Sequence, residues 1–165
     1  MNFSAVDMQE LEKKLISFRR SRHKMPENAW TEFLTTSEII HELQRLGIPY
    51  VYGKKIHMKE ERYGVPSDKI LEACMERAIQ EGADPALVED MRGGYTGVVG
   101  IIDTGRPGPT TAMRFDIDCN DVEESKEADH FPVQEGFVSI HPKLMHACGH
   151  DAHATIGIGV ANILT

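Results

Sequence analysis

Residues 146–153, with the sequence HACGHDAH, constrain this chain more than any other segment. They bring three histidines, one cysteine and one aspartate into eight residues, directly before an apolar stretch. Imidazole and thiolate groups are the usual protein ligands of zinc-like ions, and one ion offsets the desolvation of several such groups. Half of the eight histidines of the chain lie between His141 and His153. The segment therefore predicts a metal-binding loop that leads into a helix.

Spacing leaves two ligand pairs open within this loop. Cys148 and His150 can point to one side of a turning backbone, whereas His150 and His153 share a face only on a helix. A turn is favoured by Gly149, so we predict Cys148 and His150 as the metal ligands. Asp151 and His153 are then expected beside the ion, and other segments must complete the coordination. The alternative is a structural Cys/His pair without catalysis.

A second group of candidate residues lies in residues 110–118, TTAMRFDID. Apolar and polar residues alternate in its second half, which predicts a half-buried strand. Asp116 and Asp118 then lie on one side of the strand, where they could bind a metal or orient a metal-bound histidine. The alternative is a solvated strand end that leads into the acidic segment 116–129. Because the histidine cluster follows in the same chain, we favour a shared metal centre.

Three segments together resemble one enzyme family. Residues 145–153 and 114–118 resemble the metal motifs of the amidohydrolase branch of the aminoacylase and carboxypeptidase metallopeptidases. Residues 19–27, RRSRHKMPE, are similar to the opening motif of that branch. Within this opening motif we predict a structural role for His23 and Glu27.

The resemblance implies roles for particular side chains. Cys148 and His150 match the cysteine and histidine that bind metal in this branch. Asp118 matches the aspartate that supports the metal centre, and it is our candidate catalytic residue. Asp116 and His146 are expected to lie beside the ligands.

Further segments resemble the subgroup of this family that hydrolyses p-aminobenzoyl-glutamate. Residues 93–97, GGYTG, and residues 103–109, DTGRPGP, carry this likeness. A helical insert at about residues 61–92 is similar as well. The subgroup narrows the expected substrate without adding a metal ligand.

The resemblance implies a metal-dependent amidohydrolase with two divalent ions, manganese or zinc. Its substrate would be p-aminobenzoyl-glutamate or a related N-acyl amino acid, and its partner a B subunit or a second copy of the protein. In the family, the general base, further ligands and a lid or dimerisation domain follow the position that matches Thr165. We therefore expect this chain to be inactive alone. The alternatives are a non-catalytic metal-binding or interaction module and, ranked last, a redox sensor at Cys148.

Composition excludes several other classes of protein. The 165 residues carry a formal net charge of −8, with no basic stripe, which argues against nucleic acid or anionic membranes as partners. Residues 1–7 contain no apolar run of signal-peptide length. Three widely spaced cysteines provide no disulfide framework. A cytoplasmic protein is the expectation.

Hydrophobic periodicity predicts mainly helices. One begins the chain and stops before Met25, and a second starts near Thr35 with a hydroxyl N-cap and stops at Gly47. Others are predicted in the insert and from near Asp151. Residues 97–103 are predicted to form a strand that pairs with residues 110–118 as a hairpin. The predicted fold is α/β, a mixed sheet flanked by helices in one unit, 1–165, as in the N-terminal part of a zinc-peptidase-like catalytic domain.

Overall fold

A computed structural model describes residues 7–165 of the chain. Two short 3-10 helices, Gly53–Ile56 and Lys59–Glu61, join the regular elements to each other. The α-helices and β-strands of the described residues are α1 (Met8–Lys24), α2 (Phe33–Arg45), β1 (Tyr50–Tyr52), α3 (Asp68–Gln80), α4 (Pro85–Asp90), β2 (Val98–Gly100), α5 (Phe131–Gln134) and α6 (His150–Leu164).

Most of the predicted helices are confirmed. Helix α1 ends at Lys24, directly before the predicted break, and the carboxylate of Asp7 caps its start by accepting hydrogen bonds from two backbone N–H groups. Helix α3 lies in the predicted insert, and Asp84 caps α4 in the same way, with Pro85 at the first helical position. The domain boundaries that were predicted from the family resemblance stay a prediction.

Helix α2 begins earlier than predicted, and a hydroxyl group does not cap it. The capping group is the buried carboxylate of Glu27, whose Oε1 accepts from Leu34 N at 3.0 Å and whose Oε2 accepts from Thr35 N at 2.8 Å. The Thr35 hydroxyl donates to the same carboxylate at 2.8 Å. Burial raises the pKa of Glu27, while these hydrogen bonds oppose the shift. A carboxylate at this place complements the positive end of the helix dipole.

Glu27→Ala is expected to destabilise the chain by roughly 3 kcal/mol or more, because the substitution leaves two buried N–H groups and a hydroxyl without their acceptor. Urea unfolding at neutral pH measures this difference. Glu27→Gln is the matched control, since its single amide oxygen can still accept and should retain part of the stability. Equal unfolding midpoints for Glu27→Ala and the parent chain would contradict the capping role.

The sheet differs from the predicted one. Strand β2 pairs antiparallel with β1, so that Tyr50 faces Gly100, and the sheet has two strands among residues 7–165. The predicted hairpin with residues 110–118 is wrong, because those residues form no strand there. Alternation along a segment selects its buried face but not its partner, and β1 occupies the pairing edge of β2. Helices packed around a small sheet are confirmed, although the sheet is antiparallel and not mixed.

Two groups of packed helices form the interior. Helices α2, α3 and α4 share one cluster of buried side chains, which includes Phe33, Ile40, Leu71, Met75, Val88 and Met91. Helix α6 packs against α1, and the side chain of Leu15 lies 3.2 Å from the place that a Cβ would occupy at Gly159. The small residue therefore allows close packing, as predicted. None of the helices of the described residues is long and apolar enough to cross a membrane.

Candidate metal centre

The predicted metal loop turns into α6 at Gly149. This glycine has φ 78°, in the left-handed region, and its carbonyl accepts from Ala152 N and His153 N to begin the helix. His150 is the first residue of the helix, and His153 follows nearly one turn later. Their rings stack with centroids 5.1 Å apart. The helix thus puts both imidazoles on one face, which is the second of the two ligand pairs that spacing left open.

Asp116 joins these two histidines in a cluster that could hold a metal ion. One ligand atom of each of Asp116, His150 and His153 lies within 4.8 Å of the others. All three side chains are partly exposed, so an ion in solution can reach them. Arg114 donates hydrogen bonds to Asp116 and is the main cause that lowers the pKa of that carboxyl group. A carboxylate with two imidazoles suits manganese, zinc and related divalent ions.

Asp118 lies beside His150. Its Oδ1 is 3.0 Å from His150 Nδ1, and its backbone oxygen is 2.9 Å from the same nitrogen. Because both oxygens accept, Nδ1 carries the proton and donates, which leaves the lone pair of Nε2 for a metal. Asp118 is therefore placed to orient the histidine. Its predicted catalytic role stays a prediction.

Cys148 stands apart from this cluster. Its side chain is exposed and its thiol is free. The backbone N–H of Cys148 donates to Asn120 Oδ1 at 3.1 Å, which ties the loop to the segment after the two aspartates. Asn120 also exchanges two backbone hydrogen bonds with Met145. The loop is anchored, while ligation by the thiolate stays a prediction.

The other two residues predicted beside the ligands are buried. His146 is 5% exposed, and burial lowers its pKa to about 4. Its Nδ1 has no hydrogen-bond partner in the described part of the chain. Asp151 is 1% exposed and accepts from His23 at 3.0 Å and from Arg19 at 3.3 Å. Burial alone would raise the pKa of Asp151, but the hydrogen bond from His23 and nearby charges outweigh it and lower that pKa.

His23 connects this loop to a carboxylate that sequence reasoning missed. Its Nδ1 contacts Asp151, and its Nε2 lies 2.9 Å from Glu124 Oε1. Glu124 also accepts from Ser139 N at 2.6 Å and contacts His130 at 2.9 Å. Burial lowers the pKa of His23, but its two carboxylate partners outweigh burial and leave that pKa raised. These contacts fit the structural role predicted for His23; within the acidic segment, nothing in the sequence distinguished Glu124.

An open cavity of about 280 Å³ adjoins the cluster. Residues 114–118 line one side of it, and Trp30, His57 and Thr96 line the other. Glu32 lies between them and accepts from the Thr96 hydroxyl at 2.5 Å. Burial is the main cause that raises the pKa of Glu32, to about 8. The GGYTG motif therefore contributes to the cavity through its threonine.

Known proteins resemble the chain over most of its length, although no protein-family model matches it. It is 38% identical to indole-3-acetyl-aspartic acid hydrolase of Enterobacter agglomerans over 157 residues, which is 95% of the chain and 36% of that protein. It is 40% identical to the A subunit of p-aminobenzoyl-glutamate hydrolase of Escherichia coli (strain K12) over 151 residues, 92% of the chain and 35% of that protein. The chain thus spans about a third of the length of these relatives.

A solved structure has the same fold over this part. The crystal structure of the aminobenzoyl-glutamate utilization protein from Klebsiella pneumoniae matches 94% of the chain and 33% of its own length. The TM-score is 0.72 and the sequence identity is 30%. The fold described above is therefore a partial domain of that structure.

Proposed function

We propose that this chain, homologous over most of its length to about a third of the A subunit of p-aminobenzoyl-glutamate hydrolase, forms part of a metal-dependent amidohydrolase. The reaction would be hydrolysis of the amide bond of an N-acyl amino acid, with p-aminobenzoyl-glutamate as the first candidate substrate. The observation that carries the proposal is the cluster of Asp116, His150 and His153, which opens beside a cavity of substrate size.

Each residue of the site has a proposed part in this chemistry. Asp116, His150 and His153 would hold a divalent metal, and Asp118 would keep the His150 ring in its binding orientation. Bound metal would polarise the scissile carbonyl and lower the pKa of water. Two ions, manganese or zinc, are proposed by analogy with the family, and ligation by Cys148 would favour zinc. We assign no general base among these residues.

A non-catalytic metal-binding or interaction module is the alternative function. It predicts the same metal binding but no hydrolysis. The proposed location is the cytoplasm, and the proposed partners are the amide substrate and either a second, different subunit or a second copy. The name of the Escherichia coli relative, which marks it as one of two kinds of subunit, supports the heteromeric choice.

His150→Ala and Cys148→Ala are each expected to lower the affinity for manganese or zinc by about ten-fold or more, because each removes a proposed ligand. Isothermal titration of the metal-free chain measures this affinity. His153→Ala separates the two ligand pairs: a loss as large as that of His150→Ala favours the helical pair. His57→Ala is the control histidine and should bind metal like the parent. Unchanged affinity in both the Cys148 and the His150 variants would contradict the ligand assignment.

The hydrolase proposal is tested with the complete gene product and p-aminobenzoyl-glutamate, by following the release of p-aminobenzoate. Hydrolysis should require added manganese or zinc, and a chelator should abolish it. Metal binding without any release of p-aminobenzoate, or of amino acid from other N-acyl amino acids, would favour the non-catalytic module.

A further inference from the structure

The cavity beside the metal cluster has an aromatic wall that the proposed chemistry does not use. Trp30 and His57 form this wall, with ring centroids 5.7 Å apart. Tyr95 supports His57 from behind with an edge contact, again at 5.7 Å. Each of these three rings is partly buried. Aromatic walls with few polar groups are typical of sites that bind flat, apolar parts of small molecules.

Trp30 is held in place at a conformational cost. Its φ of 68° lies in the left-handed region, which is unusual for a bulky residue. Its indole N–H donates to the Tyr63 carbonyl at 2.9 Å, and the guanidinium of Arg62 lies 4.5 Å from the ring centroid. Arg62 is itself fixed by hydrogen bonds to the carbonyls of Gly93 and Gly94. Strained residues held by several contacts cluster at ligand sites.

His57 offers a polar atom as well as a ring. Its Nε2 lies 2.7 Å from the carbonyl oxygen of Thr96, which can only accept, so Nε2 carries the proton. When the ring is neutral, Nδ1 is then an acceptor, and no hydrogen bond to it occurs in residues 7–165. An amino or indole N–H group of a ligand could donate to this atom.

Charge decides which part of an N-acyl amino acid would enter the cavity. Asp116 and Asp118 line the side that faces the metal cluster, and Glu32 lines the deep part. Arg114, the cation of the lining, is already paired with Asp116. The carboxylates of an amino acid product would be repelled from this space, whereas an uncharged aromatic acyl group would not.

We propose that this cavity binds the aromatic acyl group of the substrate, with Trp30 and His57 as the residues that select it. The amide carbonyl would then lie at the metal cluster and the amino acid outside the cavity. The inference rests on the proposed function for its substrate, but its test measures binding alone.

Trp30 is the single tryptophan of the chain and reports binding directly. N-benzoyl-glutamate is expected to change its fluorescence saturably, while N-acetyl-glutamate at the same concentrations does not. Excitation at the red edge of the indole absorption keeps the tyrosines silent. His57→Leu should weaken the binding of N-benzoyl-glutamate about five-fold, because it removes the ring that faces Trp30. Equal responses to the two ligands would overturn the proposal.

Two further variants keep this test decisive. Tyr63→Leu removes an exposed aromatic side chain of the same region that does not line the cavity, and it should bind like the parent. Ala29→Phe fills the cavity from an exposed position and should abolish the response, even if His57→Leu does not fold. Normal binding by Ala29→Phe would overturn the proposal.

The outcomes separate this inference from the proposed function. Saturable binding of N-benzoyl-glutamate by the chain, with no hydrolysis by the complete gene product, would support the aromatic site and contradict the hydrolase. Hydrolysis with no preference for aromatic over acetyl substrates, and no effect of His57→Leu on that ratio, would do the reverse.

Discussion

Asp118→Asn is expected to lower turnover of the complete gene product by about ten- to a hundred-fold, with little change in melting temperature. Asparagine keeps the volume of the side chain but loses the charge that holds His150 Nδ1–H at 3.0 Å. Asp118 is partly exposed, so the uncharged side chain leaves no buried group without a partner. The histidine should become a weaker and less well oriented ligand. Steady-state kinetics with metal titration separates a loss of metal from a loss of turnover.

Asp121→Asn is the matched control for this experiment. Asp121 is an exposed carboxylate three residues away that contacts Asn28, outside the metal cluster. Its variant should keep both metal affinity and turnover. If Asp118→Asn unfolds the protein while the folded part retains normal turnover, the assigned role of Asp118 is wrong and the aspartate serves only the fold.

Glu32→Gln is expected to remove a large pH dependence from the stability of the metal-free chain. The pKa of the Glu32 carboxyl group is raised from 4.5 to about 8 in the folded state, mainly by burial. A raised pKa stabilises the fold fully below pH 4.5, and this contribution is lost as the pH rises to about 8. The difference across this range is on the order of 4 to 5 kcal/mol. Glutamine stays neutral and still accepts from Thr96.

Urea unfolding between pH 4.5 and pH 9 with a chelator present measures this effect. The parent chain should lose stability relative to Glu32→Gln as the pH rises, and the variant should be the more stable protein at the alkaline end. Glu12→Gln, at an exposed position of α1, should follow the parent. Parallel curves for the parent and Glu32→Gln would show that the Glu32 carboxyl group ionises normally.

Elements whose stability is local were predictable from the chain alone. The capping aspartates at Asp7 and Asp84, the stop before Met25 and the turn at Gly149 all act within a few residues of their own helix. The pairing of β1 with β2 was not predictable, because it joins Tyr50 to Gly100 across two helices. The cap of α2 was missed for the same reason, since Glu27 reaches it from outside the helix.

The sequence by itself determined the chemistry available to the site: a turn at Gly149, imidazoles on the first turn of a helix, and two aspartates elsewhere in the chain. Only the tertiary structure decided which of these groups meet. Asp116 and Asp118 reach His153 and His150 without forming a strand, because a side chain needs only to be carried to the first turn of α6, whatever backbone carries it. Ligand contacts between distant segments depend on packing, and no local pattern encodes that.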